Sequence, residues 1–128
     1  MTILIVEDNP TVRRLIRRAT LDIADSVVEC EDGADAVQAY VEHQPNIVLM
    51  DVRMPRMDGL TATRKLLREF PTAKVIILTD YNDDELRAAA REAGACAYAL
   101  KHNLTELEKT ILQTDSGPLS GTCTHESD

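Results

Sequence analysis

The sequence predicts an α/β fold in which a doubly wound, five-stranded parallel sheet is covered by five helices. Short apolar runs alternate with amphipathic segments of helical length along most of the 128 residues. Parallel strands must be joined by crossover connections, and an amphipathic helix after each strand provides them. With 44% hydrophobic residues, the chain can build the core of one domain.

Five runs of apolar and β-branched residues are predicted as strands. They cover residues 3–6, 26–30, 46–50, 74–78 and 96–100. The third run contains four consecutive apolar residues, from Ile47 to Met50, which is typical of a strand that is buried on both faces. Buried strands of this kind belong to the middle of a parallel sheet.

The segments between these strands have the apolar spacing of helices. The first helix has an apolar stripe at Val12, Leu15, Ile16 and Ala19. The third helix is expected to end at Pro71. The fourth, over residues 83–93, is expected to end at Gly94, because glycine adopts the left-handed conformation past a helix end. Thr105 and Glu108 have capping-box spacing, which predicts that the fifth helix begins near residue 103.

The apolar pattern ends at Thr114. We expect a folded domain over residues 1–114 and a flexible tail, or the start of a linker, over residues 115–128. The net charge of -8 argues against nucleic-acid binding by the domain itself. No apolar stretch approaches the roughly 20 residues that span a bilayer, and the N-terminus lacks a basic secretion signal. A cytoplasmic location without membrane contact is therefore expected.

Polar side chains stand at the ends of four predicted strands. They are Glu7 and Asp8 after the first strand, Asp51 after the third, Thr79 after the fourth and Lys101 after the fifth. Each residue alone is more often a turn cap or a solvated side chain. The carboxyl ends of parallel strands meet at one edge of the sheet, however, and open α/β folds bind their ligands there. The set therefore predicts a site.

The residue types indicate metal-assisted phosphoryl transfer. Three carboxylates packed together repel one another, and a divalent cation relieves that repulsion. Ligation by oxygen atoms favours Mg²⁺ or Mn²⁺ over zinc. Beside such a metal, Asp51 can act as a nucleophile toward phosphorus. Lys101 and Thr79 can supply the positive charge and the hydroxyl donor that the phosphoryl oxygens need.

In this order and spacing, the motifs resemble the receiver domain of response regulators in two-component signalling, over residues 2 to about 113. The matching positions are Glu7-Asp8, Asp51, Met54-Pro55, Asp58-Gly59, Thr79, Tyr98 and Lys101. Residues 94–101 resemble the Gly-Ala-x-x-Tyr-x-x-Lys pattern of that family. The region from the fourth to the fifth helix is similar to the branch whose receivers precede a LuxR-like helix-turn-helix domain.

The resemblance implies a flavodoxin-like sheet with strand order 2-1-3-4-5. Asp51 would accept a phosphoryl group from a histidine kinase or a phosphotransfer protein. Mg²⁺ or Mn²⁺ would be held by Asp8, Asp51 and the Arg53 backbone carbonyl, with Glu7 acting through water. Such a domain is not an enzyme beyond its own phosphotransfer and autodephosphorylation.

The resemblance also implies how the signal leaves the site. The phosphoryl group would attract Thr79 and Lys101, and Tyr98 would turn inward. This change would reshape the face formed by the fourth helix, the fifth strand and the fifth helix, with homodimerisation on phosphorylation as one outcome.

Several positions near the site depart from the family pattern or flank its entrance. His102 stands where many receivers have a proline in a cis peptide, and we expect a trans bond here because a non-proline cis bond is costly. Asp80 stands where a small residue is common, and its charge is expected to alter phosphorylation or the lifetime of the phosphoryl group. Arg53 and Tyr81 flank the same entrance and are further candidates for tuning the rate.

A basic patch on the first helix suggests a docking surface. Four arginines lie on the side away from the apolar stripe, namely Arg13, Arg14, Arg17 and Arg18. They form either a solvated face or the surface that docks on the helical bundle carrying the donor histidine.

The sequence leaves the output of the domain open. We expect the receiver module of a transcriptional regulator that contacts DNA only through an effector domain absent from this chain. A natural single-domain receiver and a phosphorylation-independent interaction module are the alternatives. A haloacid-dehalogenase-type phosphatase would need a second Asp two residues after Asp51, where Arg53 stands. A flavodoxin is disfavoured because the acidic loop at Glu7 and Asp8 would repel an FMN phosphate.

Overall fold

Five parallel strands form one sheet in the order β2-β1-β3-β4-β5. The computed structural model describes residues 1–116. Within them the strands are β1 (Thr2–Val6), β2 (Ser26–Cys30), β3 (Ile47–Asp51), β4 (Val75–Thr79) and β5 (Ala97–Leu100). All four neighbouring pairs are parallel. The predicted flavodoxin-like fold and its strand order are confirmed.

One α-helix follows each strand. The helices are α1 (Pro10–Thr20), α2 (Ala36–His43), α3 (Gly59–Glu69), α4 (Asp84–Ala93) and α5 (Leu107–Asp115), and a 3₁₀ turn over Gly33–Asp35 precedes α2. The Asp83 side chain caps α4 by accepting two backbone N–H groups, and Gly94, with φ of 101°, ends it. The end of α4 therefore agrees with the prediction.

The predicted start of the fifth helix is wrong. α5 begins at Leu107 rather than near residue 103, and no side chain caps its N-terminus. The Thr105 hydroxyl donates to the side-chain oxygen of Asn103 at 2.9 Å instead of capping the helix. The N–H groups of Glu106 and Leu107 donate to carbonyls three residues earlier. A separate turn thus occupies the segment in which the capping box was expected.

The core consists of two layers, one on each face of the sheet. β3 and β4 are buried along their whole length, as their apolar runs predict. One face of the sheet packs against α2, α3 and α4, and the other packs against α1 and α5. The buried stripe of α1 is narrower than its apolar spacing predicts. Ile16 is 1% exposed, whereas Leu15, which the prediction placed in the same stripe, is 47% exposed.

Asp32 ties the loop after β2 to the loop after β3. Its buried carboxylate accepts the backbone N–H groups of Ala34, Arg56 and Met57 at 2.9, 2.9 and 3.0 Å. Burial opposes ionisation, but these three donors hold the pKa of Asp32 below its usual value. The two loops also touch, because a Cβ atom on Gly33 would lie 2.6 Å from the Met57 carbonyl oxygen. The β3–α3 loop is therefore fixed through its backbone.

Three further expectations concern the chain as a whole. No helix within residues 1–116 is long and apolar enough to cross a membrane. No cis peptide bond occurs in the same residues, so the bond before His102 is trans, as expected. From residue 117 onward, the predicted tail lies outside the described residues.

Candidate functional site

The polar side chains predicted at the strand ends share one cleft at the carboxyl edge of the sheet. Its volume is about 230 Å³. Its lining includes Glu7, Asp8, Asp51, Thr79 and Lys101. The parallel register of β1, β3, β4 and β5 places their ends side by side. The structure therefore brings all five residues together.

Three carboxylates form an acidic cluster in this cleft. One oxygen atom each of Glu7, Asp8 and Asp51 lies within 4.8 Å of the others. Glu7 and Asp51 are buried, whereas Asp8 is exposed at the mouth of the cleft. All the ligand atoms are carboxylate oxygens, so the donor set suits a hard divalent cation such as Mg²⁺ or Mn²⁺.

Lys101 bridges the two buried carboxylates. Its ammonium nitrogen lies 2.7 Å from Glu7 Oε1 and 2.7 Å from Asp51 Oδ1. Burial alone would lower the pKa of Lys101, but the contacts with Asp51 and Glu7 outweigh burial and raise it. The lysine therefore carries its charge in this site at neutral pH.

One ammonium does not fully neutralise two buried acids. Burial raises the pKa of Glu7 to about 7, and the charge of Asp51 adds to this effect against the opposing contact with Lys101. Burial likewise raises the pKa of Asp51, although the contact with Lys101 lowers it. The cluster thus has an excess of negative charge that a second cation would stabilise.

The start of α3 packs directly against Asp51. A Cβ atom on Gly59 would lie 1.8 Å from the Asp51 carbonyl oxygen, so only glycine fits this contact. The Gly59 N–H donates to the Val52 carbonyl at 2.8 Å. Asp58 caps the helix by accepting the Thr61 N–H at 2.9 Å. The Asp-Gly pair noted in the sequence is what allows α3 to begin this close to β3.

Thr79 and Tyr98 are connected through the backbone of the β4–α4 loop. The Tyr81 N–H donates to the Thr79 hydroxyl oxygen at 3.2 Å. The Tyr98 hydroxyl donates to the Tyr81 carbonyl oxygen. Tyr98 is thus anchored to this loop through its hydroxyl.

Arg53 and Tyr81 stack over the entrance of the cleft. The Arg53 guanidinium carbon lies 4.7 Å from the centre of the Tyr81 ring, which is a cation–π distance. Both residues line the cleft together with Asp80, which is exposed. The three residues expected to tune the rate are therefore all at the opening.

The four arginines of α1 have different environments. Arg13 contacts Glu29 Oε1 at 2.8 Å and donates to the Glu7 carbonyl oxygen at 2.7 Å. Arg17 contacts Glu29 Oε2 at 2.5 Å. Arg14 and Arg18 are exposed beside Leu15. The basic patch available to a partner is therefore narrower than the sequence predicts, because Glu29 engages two of its members.

Sequence reasoning missed two residues that shape this region. Asp32 follows β2, so the same strand-end criterion that selected Asp51 would have selected it. Arg87 lies on α4, and its guanidinium carbon is 4.6 Å from the centre of the Tyr98 ring. The sequence carries no signal for this contact, because it depends on how α4 packs beside β5.

Comparison with known proteins shows the family of this chain. The chain matches the family described as the response regulator receiver domain over residues 3–112. This chain belongs to the response regulator receiver family. The receiver domain is 41% identical over 113 residues to the uncharacterized transcriptional regulatory protein YhcZ of Bacillus subtilis, covering 87% of this chain and 52% of the relative.

A second curated relative matches this chain over a similar share of its length. The response regulator GacA of Pseudomonas aeruginosa is 38% identical over 118 residues, covering 90% of this chain and 55% of the relative. The receiver domain therefore spans about half the length of these curated relatives.

Solved structures confirm the fold. A two-component response regulator of the LuxR family from Aurantimonas superposes with a TM-score of 0.85 at 32% identity, covering 91% of this chain and 85% of that one. The signal receiver domain of the response regulator NarL from Mycobacterium tuberculosis gives a TM-score of 0.80 at 29% identity, covering 91% of this chain and 97% of that one. The predicted resemblance to receivers of the LuxR branch is confirmed.

The charge excess predicts that Glu7 destabilises the metal-free domain at high pH. Because the pKa of Glu7 is raised above the usual 4.5 to about 7, its stabilising contribution is present below pH 4.5 and is lost as the pH rises through 7. Glu7→Gln, which mimics the protonated acid, should raise the free energy of unfolding by about 1–3 kcal/mol at pH 8 and by much less at pH 5.

Urea unfolding in the presence of a chelator at both pH values measures this difference. Glu31→Gln removes an exposed acid after β2 and serves as the matched control, with an expected change near zero. Equal stability of the wild-type protein and Glu7→Gln at pH 8 would contradict the prediction.

Proposed function

We propose that this receiver domain is a phosphorylation-activated switch in which Asp51 accepts a phosphoryl group from a histidine kinase or a phosphotransfer protein. The observation that carries this proposal is the placement of a buried carboxylate 2.7 Å from the Lys101 ammonium within an all-oxygen acidic cluster. The nucleophile, a fixed positive charge and a potential cation site thereby occupy one cleft.

The acidic cluster fits a Mg²⁺ or Mn²⁺ ion. Asp8, Asp51 and the Arg53 backbone carbonyl would hold it, with Glu7 acting through water. When bound, the ion would supply positive charge that offsets the carboxylates and the oxygens of an incoming phosphoryl group. The raised pKa of Glu7 and its position in the cluster support this assignment, because the site already has more negative charge than Lys101 balances.

The residues of the chain perform the transfer by positioning and charge. An Asp51 carboxylate oxygen forms the bond to phosphorus, the bond between phosphorus and the donor histidine nitrogen breaks, and the nitrogen keeps the electron pair. Lys101 then contacts the phosphoryl oxygens. The Thr79 hydroxyl can donate a hydrogen bond to one of them while its oxygen still accepts the Tyr81 N–H. Water later cleaves the acyl phosphate, which is the only turnover proposed.

The change at Thr79 would reach Tyr98 through the β4–α4 loop. Thr79 contacts the Tyr81 N–H, and the Tyr81 carbonyl accepts the Tyr98 hydroxyl. A shift of Thr79 toward the phosphoryl group therefore acts on the peptide groups that hold Tyr98. The face formed by α4, β5 and α5 would present the result to partners, including a second copy of the domain.

We propose that the domain serves a transcriptional regulator, with a cytoplasmic location. The curated relatives, of which the chain spans about half, include regulators of transcription. The net charge of -8 argues against DNA binding by this domain and for contact through another domain. The chain is also 43% identical over 104 residues to a protein-glutamate methylesterase of Myxococcus xanthus, and the match covers 30% of that relative. The natural single-domain receiver remains the alternative for this chain.

Phosphorylation of Asp51 is the central test. Incubation with Mg²⁺ and acetyl phosphate should add one phosphoryl group, seen by intact-mass spectrometry, and Asp51→Asn should abolish it. Asp22→Asn, an exposed acid outside the cleft, is the control and should be modified like wild type. If no phosphoryl adduct forms and beryllofluoride causes no change in the NMR spectrum of the protein, the domain is a phosphorylation-independent interaction module instead.

Asp80 should slow the approach of anionic donors. Asp80→Ala removes a carboxylate from the opening of the cleft, so phosphorylation by acetyl phosphate should accelerate about fivefold, corresponding to roughly 1 kcal/mol of repulsion. The half-life of the phosphoryl group should change as well. Asp80→Asn separates charge from volume and should reproduce the acceleration. Phosphorylation rates equal to wild type in both variants would mean that the Asp80 side chain points into solvent and does not affect the incoming donor.

Arg14 and Arg18 should mediate docking of the kinase. Reversing both charges should slow phosphotransfer from a phosphorylated histidine kinase about tenfold or more, because complementary charge steers association. The rate with acetyl phosphate should not change. Arg68→Glu reverses an exposed charge on α3 and serves as the control. Equal slowing with both donors would show that the substitutions disturb the site rather than docking.

A further inference from the structure

Arg87 joins three elements around the aromatic residue of the proposed switch. It lies in α4, and its guanidinium carbon is 4.6 Å from the centre of the Tyr98 ring in β5. Its Nη2 atom donates to the side-chain oxygen of Asn82 at 3.1 Å. Asn82 belongs to the β4–α4 loop, so one guanidinium links α4, β5 and that loop.

Tyr98 is held at both ends by these contacts. Its hydroxyl donates to the Tyr81 carbonyl, and its ring is covered by Arg87. Burial raises the pKa of Tyr98, while the Asp83 N–H and the Arg87 guanidinium lower it. The phenol remains a neutral donor at pH 7. The charge of Asp83 acts on the same phenol in the opposite direction to that of Arg87 and raises the pKa of Tyr98.

The contact is strong enough to bias a two-state side chain. A guanidinium over an aromatic ring shifts an equilibrium about 2- to 30-fold, depending on how far the pair is desolvated. The planar group of arginine stacks on the ring and donates to Asn82 at the same time, which a lysine ammonium does less well. The stacking geometry therefore sets the size of the bias.

We propose that Arg87 is a positioning residue that holds Tyr98 in the Tyr81-bound position before phosphorylation and so sets the resting population of the switch. The link to signalling rests on the proposed function. In this proposal the phosphorylated state has Tyr98 in the same position. By linkage, a residue that favours this tyrosine position then also favours the phosphorylated state, by the same factor. The domain is thus partly poised for its active conformation.

Fluorine NMR of the protein labelled with fluorotyrosine tests this directly. The chain has three tyrosines, and Tyr→Phe variants assign their signals. In metal-free protein, Arg87→Ala should move the Tyr98 signal toward the position of a solvent-exposed tyrosine, and Arg87→Lys should give an intermediate shift. Arg68→Ala, which removes an exposed arginine from α3, should leave the signal unchanged.

Titration with Mg²⁺ and beryllofluoride completes the test. The Tyr98 signal should move little in wild type and return to the wild-type position in Arg87→Ala. The midpoint, followed in both proteins by the fluorine signal of bound beryllofluoride, should be about 2- to 30-fold higher in Arg87→Ala than in wild type. A Tyr98 signal in metal-free Arg87→Ala or Arg87→Lys identical to wild type would overturn the inference. A shifted resting signal that never responds to beryllofluoride would support positioning by Arg87 and count against the proposed phosphorylation.

Discussion

The Lys101 ammonium, shared between Glu7 and Asp51, is the interaction on which the carboxyl edge of this sheet depends. Its side chain reaches from the end of β5 past β4 to carboxylates at the ends of β1 and β3. Two buried acids would otherwise face each other in a medium of low polarity, which is costly without a paired charge. The ammonium lets them remain side by side, and the rest of the site is arranged around that pair.

The two loops that flank the site are held in different ways. The β3–α3 loop is fixed through its backbone, by the N–H groups bound to Asp32 and by the close approach of Gly59 to Asp51. The β4–α4 loop is held largely by side chains: Arg53 stacks on the Tyr81 ring, the Tyr98 hydroxyl donates to the Tyr81 carbonyl, and Arg87 donates to the Asn82 side chain. Backbone bonds to a buried carboxylate resist change more than contacts near solvent do. In the proposed function, Asp51 therefore stands at the start of the loop that is fixed through its backbone, and the response to phosphorylation would occur in the β4–α4 loop.

The sequence pattern was sufficient for the parallel sheet and for the five residues of the cleft, and the family resemblance supplied the strand order. Apolar runs mark buried strands, and a parallel sheet forces their polar ends together, so Asp51 could be placed before any coordinates. Contacts between elements could not be read in this way. Arg13 and Arg87 occupy surface positions of helices, and only packing decides which residues they meet. The start of α5 was mispredicted because Thr105 bonds to Asn103, a local competition that spacing does not reveal.

The division among the arginines of α1 bears on how this domain can diverge. Arg13 holds both Glu29 and the backbone carbonyl of Glu7, so it is tied to the strand end that carries the acidic cluster. Arg14, Leu15 and Arg18 face outward without that tie. If the proposed function holds, duplicated copies of the gene could acquire new partners through these three outward positions without disturbing the contacts of Arg13. Insulation between paralogous pathways would then depend on one helix face.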